Sequence, residues 1–217
     1  MKRAVIIGIL LLFAGIVCIR TYSLPAISDK VQEAKKVALT FDDGPHQKYT
    51  KMLLDGLKER NVIATFFLIG ESIEGKEELV KQMKEDGHLI GNHTYSHIQL
   101  GKVGKDTGCA EIWKTNTVIY DITEEIPCFI RPPFGDWNEE LACVVDMNVV
   151  LWDIDPEDWK YKDAERVRDY VVKHVKDGDI ILLHDVYKTS VEAALQIVDI
   201  LSEEGYEFVS VEELIFD

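Results

Sequence analysis

Short runs of β-branched and aromatic residues alternate with longer amphipathic stretches throughout the sequence beyond residue 36. The short runs are typical of strands, and we place strands at Val37–Phe41, Ile63–Ile69, Leu89–Gly91, Phe129–Arg131, Val149–Trp152, Ile180–Leu183 and Phe208–Val211. The apolar spacing between them predicts helices, which we place at Tyr49–Arg60, Lys76–Asp86, Cys109–Thr123, Asn138–Asp146, Ala164–Lys176 and Val191–Glu204. Because alternating strands and helices build parallel sheets, the pattern predicts an α/β fold with a parallel sheet or barrel.

The first twenty residues do not follow this pattern. Lys2 and Arg3 precede an uncharged, mostly apolar run over residues 4–19, which is typical of a secretory signal. The run is slightly shorter than most membrane-spanning helices, so its length leaves both a cleaved signal peptide and a retained membrane anchor open. We expect residues 1–20 to be this signal or anchor, residues 21–35 a linker, and residues 36–217 a single domain. The domain would lie outside the cytoplasmic membrane, either anchored and facing the cell wall or secreted.

The charge of the chain argues against nucleic acid as a partner. The sequence has 24 Lys and Arg against 39 Asp and Glu, which gives a net charge of −15 at pH 7. Six basic and only two acidic residues fall within the first 36, so the rest of the chain is more acidic still. Phosphate backbones and anionic lipid headgroups would be repelled by such a surface.

Several residues of reactive types have no predicted functional role. The cysteines form no C-x-x-C pair: Cys18, Cys109, Cys128 and Cys143. Their spacing supports neither a disulfide framework nor a thiolate zinc site, and we expect the three beyond the N-terminal run to be buried thiols. Three histidines do not follow a predicted strand and are expected at the surface: His46, His88 and His174.

Polar residues directly follow five of the predicted strands. They form five clusters: Asp42-Asp43-Gly44-Pro45, Asn92–His97, Pro132–Gly135, Asp153–Trp159 and His184-Asp185. Because the carboxyl ends of parallel strands converge on one face of a barrel, where enzymes of this class build their sites, we expect these residues to form one functional site.

The spacing of His93 and His97 is compatible with a metal site. On a single helical turn both imidazoles would point the same way, and one carboxylate from another strand would complete a three-ligand site with an open position. The histidines alone could equally lie at the surface, and Asp42-Asp43 alone could be a turn. Together they favour a metal site in which one Asp is a ligand and the other faces the substrate as a base.

Two charged residues also stand at the ends of apolar strands. Arg131 and His184 both require buried partners there, because an unpaired charge is costly to bury. For His184 the obvious candidate is Asp158.

Taken together, the clusters resemble the motifs of the polysaccharide deacetylase family, also called the NodB homology domain or carbohydrate esterase family 4. The matching motifs occur in the family's order: Thr40-Phe41-Asp42-Asp43, His93–His97, Arg131–Gly135, Asp155–Trp159 and Leu182-Leu183-His184. The resemblance covers about residues 36–215. It implies a distorted (β/α) barrel of about seven parallel strands, fewer than the eight of a TIM barrel. Phe134 departs from the family pattern, in which a Tyr is more usual.

The resemblance implies a metal centre and a general base. Asp43, His93 and His97 would be the metal ligands, a set that suits Zn²⁺ but also Co²⁺ or Ni²⁺. Asp42 would be the general base that takes a proton from the attacking water. Arg131 would hold Asp42 and keep it ionised through its opposite charge.

The resemblance also implies a general acid and three substrate contacts. His184 would protonate the leaving amine, kept cationic by Asp158. The backbone N–H of Phe134 would help to hold the developing oxyanion. Leu182 would line a pocket for the acetyl methyl group, and Trp159 would form an apolar wall of the groove.

These roles predict an exported, metal-dependent hydrolase that removes acetyl groups from an N-acetylated glycan polymer, with a membrane contact through residues 4–19. Peptidoglycan N-acetylglucosamine or N-acetylmuramic acid is the first choice of substrate, because a wall-facing enzyme has that polymer at hand. Alternatives are a chitooligosaccharide deacetylase, an O-acetyl xylan esterase, and a glycan-binding protein without turnover. A phosphotransferase loop at Asp42-Asp43 fits poorly, since that chemistry uses acids spaced D-x-D.

Overall fold

A computed structural model describes residues 34–141 and 147–216. Seven strands occur in these ranges: β1 Lys35–Asp42, β2 Thr65–Leu68, β3 Leu89–Asn92, β4 Phe129–Ile130, β5 Asn148–Val149, β6 Ile180–His184 and β7 Tyr206–Val209. The α-helices are α1 Tyr49–Glu59, α2 Glu77–Glu85, α3 Lys105–Thr123, α4 Asp158–Tyr161, α5 Ala164–His174, α6 Lys188–Glu203 and α7 Val211–Phe216. Short 3₁₀ turns lie at Gly70–Ile73, Leu100–Lys102 and Pro133–Gly135.

All seven strands join one parallel sheet in the order β5-β4-β3-β2-β1-β6, with β7 added to β1. The first half of β1 pairs with β7 and the second half with β6. The two pairings overlap at Ala38, which has Val209 on one edge and Ile180 on the other. A single bridge between Ile154 and Ile181 ties the chain after β5 to β6, which curls the sheet toward closure. The predicted α/β class with about seven parallel strands is therefore confirmed. The predicted N-terminal signal or anchor lies outside the described residues.

Strand β1 lies at the centre of the fold, and its sequence explains why. Residues 37–41 are all buried and, apart from Thr40, apolar, which matches the nearly continuous apolar run expected of a parallel strand covered on both faces. On one side the apolar faces of α1, α5 and α6 form the main core, with Leu53, Ile197 and Leu201 buried against the sheet. This packing fixes the carboxyl end of β1, and therefore also the position of Asp42 and of the loop that follows it.

Many of the predicted bounds shift by a few residues in the structure, as for α3, which begins at Lys105 rather than Cys109, and three further elements also differ. Strand β5 is only two exposed residues long, because it is an edge strand and the chain turns away before Trp152. Residues 138–141 of the predicted helix at Asn138–Asp146 are not helical, and residues 142–146 lie outside the described ranges. The last strand ends at Val209 rather than Val211, since the hydroxyl of Ser210 accepts a hydrogen bond from the N–H of Glu213 and starts α7.

The prediction of buried thiols is wrong for the two cysteines in the described residues. Cys128 is a free, exposed cysteine, and Cys109 is half-buried and disulfide-bonded. None of the helices in the described ranges combines the length and apolar character that a membrane crossing requires.

Candidate active site

The carboxyl ends of the central strands open into one cavity of about 430 Å³. Its lining residues come from the carboxyl ends of β1 and β6 and from the segments that follow β1, β3, β4, β5 and β6: Asp42, Asp43, His93, His97, Phe134, Trp152, Asp155, Trp159, Leu182, His184 and Tyr187. Eight of the ten residues predicted for the site line this cavity directly. The other two, Arg131 and Asp158, lie behind it and hold Asp42 and His184.

Asp43, His93 and His97 converge as a metal-binding group. Oδ1 of Asp43 lies 3.5 Å from Nε2 of His93 and 3.4 Å from Nε2 of His97. All three candidate ligand atoms lie within 4.8 Å of one another. Oδ1 of Asp43 is buried without a hydrogen-bond partner, which is costly unless a cation completes it. The residues therefore fit a divalent metal ion with two imidazole ligands and one carboxylate.

Electrostatics favour the metal-binding form of these groups. Burial alone would raise the pKa of Asp43, but the neighbouring imidazoles, His93 first, outweigh it and lower that pKa. Burial and the nearby His93 lower the pKa of His97. A deprotonated carboxylate and a neutral imidazole are the forms that bind metal.

The loop that carries the two histidines is not the helical turn that their spacing predicted. Thr94 and His97 have positive φ angles of 63° and 56°, and the shape is set by side chains that accept hydrogen bonds from the backbone. Oδ1 of Asn92 accepts from the N–H of Thr94 at 2.7 Å. One carboxylate oxygen of Glu111, on α3, accepts from the N–H groups of Tyr95 and Ser96 at 3.1 and 2.7 Å.

The orientation of His93 is fixed by a second contact. Its Nδ1 lies 2.6 Å from the carbonyl oxygen of Arg131, so Nδ1–H donates to that oxygen. Nε2 is then left with its lone pair facing the cavity, as a metal ligand requires.

Asp42 differs from its neighbour Asp43 in being paired with the guanidinium of Arg131. Nη1 of Arg131 donates to Oδ1 of Asp42 at 2.9 Å and to Oγ1 of Thr40 at 2.7 Å. The remaining guanidinium donors reach the carbonyls of Val150 and Leu151 at 3.3 and 2.9 Å. Arg131 has no exposed surface, yet each of its three guanidinium nitrogens donates to at least one acceptor. One oxygen of Asp42 remains free to face the cavity.

His184 is held by Asp158 through two hydrogen bonds. Its Nδ1–H donates to Oδ1 of Asp158 at 2.8 Å, and its backbone N–H donates to Oδ2 at 2.9 Å. Burial by itself lowers the pKa of His184, but the hydrogen bond and charge of the fully buried Asp158 outweigh it and raise the pKa to about 9. A protonated imidazole therefore stands at the cavity wall at neutral pH.

The predicted substrate-binding residues give the cavity an apolar rim. Phe134 and Trp159 are 67% and 46% exposed and stand at the edge of the cavity. Phe134 packs edge-on against His97, with 4.9 Å between the ring centroids. Leu182 lies below them, nearly buried.

Three further lining residues were not among the predicted site residues: Trp152, Asp155 and Tyr187. Asp155 stands in the predicted cluster Asp153–Trp159, whereas Trp152 is the last residue of the strand predicted before it. Tyr187 follows His184 by three positions, so its place directly after β6 could have predicted it as a lining residue.

Comparisons with known proteins show the family of this chain. The sequence pattern of the polysaccharide deacetylases matches residues 29–149. The peptidoglycan-N-acetylglucosamine deacetylase PgdA of Listeria monocytogenes is 40% identical over 185 residues, which are 85% of this chain and 40% of PgdA. The peptidoglycan-N-acetylmuramic acid deacetylase PdaC of Bacillus subtilis is 38% identical over 192 residues, which are 88% of this chain and 41% of PdaC. The chain thus spans about two fifths of the length of these relatives.

Solved structures extend the similarity to the fold. A structure of Bacillus subtilis PdaC superimposes with a TM-score of 0.82 at 39% identity, covering 84% of this chain and 91% of that one. A family 4 acetyl xylan esterase from Clostridium thermocellum, solved in complex with a cobalt ion, superimposes with a TM-score of 0.79 at 37% identity, covering 83% and 90%. On the match of sequence, fold and motif order, the chain belongs to the polysaccharide deacetylase family.

Proposed function

We propose that this chain is a metal-dependent hydrolase that removes acetyl groups from N-acetylated cell-wall glycan. The observation that carries the proposal is the convergence of three parts on one cavity: the Asp43, His93 and His97 ligand group, the Asp42–Arg131 pair and the His184–Asp158 pair. Amide hydrolysis needs all three parts, namely an electrophile, a base and an acid.

The metal would be held by Asp43, His93 and His97. Zn²⁺ is our first choice, with Co²⁺ or Ni²⁺ as alternatives, because imidazole and carboxylate ligands are accepted by all three. When bound, such an ion supplies Lewis-acid chemistry, polarising the acetyl carbonyl and making an attacking water more acidic.

Asp42 takes the proton from that water. Its carboxylate is 3% exposed and is oriented by Arg131, so one oxygen is held and the other is free to accept. A rigid, oriented base avoids the cost of reorganisation during the reaction.

His184 gives a proton to the leaving amine nitrogen. With its pKa raised to about 9, the imidazolium is the main form at neutral pH. An amine is a poor leaving group until it is protonated, so a cationic acid suits amide cleavage. The backbone N–H of Phe134 assists at the carbonyl oxygen, and the methyl group of the acetyl lies against Leu182.

Sugar rings would pack on the exposed aromatic rim formed by Phe134 and Trp159. Peptidoglycan is the preferred polymer because two relatives are named for its N-acetylglucosamine and N-acetylmuramic acid residues. Acetyl xylan is the second candidate, since one structural relative is named an acetyl xylan esterase.

We also place the domain outside the cytoplasmic membrane, with the apolar run at residues 4–19 as signal or anchor. The disulfide at Cys109 supports this location, because disulfides persist mainly in oxidising compartments.

The test is mass spectrometry of defined glycans after incubation with the full chain and Zn²⁺. Expected is loss of acetyl groups from peptidoglycan fragments and release of free acetate, with none from the matched variant Asp42→Asn. Release of acetate from acetylated xylan and from no other glycan would show that the chain is an acetyl xylan esterase instead. An absence of acetate from every glycan would contradict the proposal.

A further inference from the structure

The candidate ligand Asp43 sits in a backbone conformation that is uncommon for a non-glycine residue. Its φ is 72°, in the left-handed region, which costs an L-residue roughly 1–2 kcal/mol. This conformation turns its carboxylate away from Asp42 and toward the two histidines. Something in the structure must hold the loop of residues 43–46 in this shape.

Asp185 lies directly beneath that loop. A Cβ atom added to Gly44 would lie 2.5 Å from both carboxylate oxygens of Asp185, so the glycine backbone rests on the carboxylate itself. Only a glycine allows this approach. Asp185 is completely buried and follows β6, the strand that pairs with β1 up to Asp42.

The far end of the loop is tied to the same carboxylate through Thr50. The N–H of His46 donates to Oγ1 of Thr50 at 2.7 Å, and the Thr50 hydroxyl donates in turn to Oδ2 of Asp185. The carbonyl of Gly44 accepts from the N–H of Ile69 at 3.1 Å. The loop is therefore clamped between β2 on one side and the Asp185–Thr50 pair on the other.

Burying this carboxylate is unfavourable for the fold alone. Its Oδ1 has no hydrogen-bond partner, and an apolar residue in that place would avoid the loss. The position and the contacts of Asp185 instead serve the loop that carries Asp43.

We propose that Asp185 is a positioning residue that sets the metal affinity of the site by holding Asp43 in its left-handed conformation. The inference rests on the proposed function only in taking Asp43 as a metal ligand. Asp185 is not among the residues that line the cavity; it acts through Gly44 and Thr50.

The test is the Zn²⁺ affinity of the full chain, measured by competition with a chelating indicator. Asp185→Ala removes the support and is expected to weaken binding by about 10–100-fold, the usual effect of losing a residue that orients a ligand. Thr50→Val keeps the volume and removes the hydroxyl, and is expected to weaken binding in the same direction. Asp185→Asn keeps the shape and the acceptor for Thr50, so its affinity is expected to stay within about 3-fold of the wild type.

Asp153→Ala is the matched control. Asp153 stands at the opposite end of β6, where its Oδ2 accepts from the N–H of Ile180 at 2.9 Å, and its loss is expected to leave Zn²⁺ affinity unchanged. Thermal unfolding of each variant shows whether it folds. If Asp185→Ala does not fold, the Zn²⁺ affinity of Thr50→Val tests the proposal.

Wild-type affinity in Thr50→Val would overturn the proposal. So would an equal loss in Asp185→Asn and Asp185→Ala, because that would make the charge, not the support, responsible. A wild-type chain that binds Zn²⁺ but releases no acetate would contradict the proposed function and leave this inference standing.

Discussion

At the scale of single residues, the site depends on two adjacent acids with different surroundings. Asp42 is the last residue of β1, and Arg131 binds one of its oxygens. Asp43 has left the strand in a left-handed conformation, with a buried oxygen that no hydrogen bond satisfies. Neighbouring carboxylates with such different partners can take different chemical tasks.

The first prediction separates these two acids. Asp43→Asn is expected to lose both bound Zn²⁺ and activity, because a neutral amide is a poor metal ligand. Asp42→Asn is expected to keep its Zn²⁺ and lose activity by about 10²–10⁴-fold, the usual contribution of a general base. Elemental analysis with acetate release measures both quantities. Equal metal loss in the two variants would contradict the division of roles.

The second prediction concerns pH. The folded-state pKa of His184 is raised from 6.5 to about 9, so the protonated acid is present below that value and is lost as pH rises through it. The basic limb of the rate profile is therefore expected near the pKa of His184, and Asp158→Asn should move it down by about 1–3 units. The metal content should not change.

Rate against pH on one soluble substrate measures the shift, with the wild type in parallel. If the limb stays in place in Asp158→Asn, either His184 is not the acid or Asp158 is not its partner.

At the scale of secondary-structure elements, the sequence predicts the strands better than the loops that follow them. The strands could be predicted because buried parallel strands need nearly continuous apolar runs, as in residues 37–41. Their carboxyl ends then placed the motif residues on one face. The conformation after β3 could not be predicted, because it depends on hydrogen bonds from Glu111 on α3 and from Asn92. The prediction that His88 lies at the surface is wrong for the same reason. Its ring is buried, and its Nδ1 accepts a hydrogen bond from the N–H of Ala64 on a neighbouring segment.

The third prediction tests how α3 shapes the histidine loop. Glu111→Ala leaves the N–H groups of Tyr95 and Ser96 without their acceptor and is expected to lower the free energy of unfolding by about 2 kcal/mol. Urea denaturation measures the change. Asp121→Ala, which removes an exposed acid from the same helix, is the control and should have little effect. Equal stabilities for the two variants would show that Glu111 does not support the loop.

At the scale of the whole molecule, acid stability depends on a histidine remote from the cavity. His88 is 6% exposed and its Nε2 has no hydrogen-bond partner. Burial lowers its pKa to about 4. Between about pH 6.5 and 4 this histidine is therefore protonated in the unfolded chain but neutral in the folded chain. The contribution of His88 to stability is thus fully present above pH 6.5 and is lost as pH falls toward 4. Burial raises the pKa of Asp185 to about 7, which acts in the opposite direction.

The fourth prediction isolates the histidine from that opposing group. Replacing His88 by Gln is expected to remove about 3 kcal/mol of pH dependence between pH 4 and 6.5, from the size of its pKa shift. The measurement is the difference in unfolding free energy between wild type and variant across this range, in which Asp185 and the metal ligands cancel. His174→Gln, at an exposed position, is the control. A difference that does not vary with pH would show that the buried ring does not titrate as its surroundings require.

The fifth prediction concerns the location of the whole chain. Lys2 and Arg3 before the apolar run at residues 4–19 predict that the domain faces outward, and Cys128 supplies a reporter because it is exposed and free. A membrane-impermeant maleimide is expected to label the chain in intact cells, and Cys128→Ser is expected to lose that label. The control is a cytoplasmic protein with an exposed cysteine, which stays unlabelled as long as the cell membrane is intact. Labelling that appears only after the membrane is broken would place the domain inside and remove cell-wall glycan from its reach.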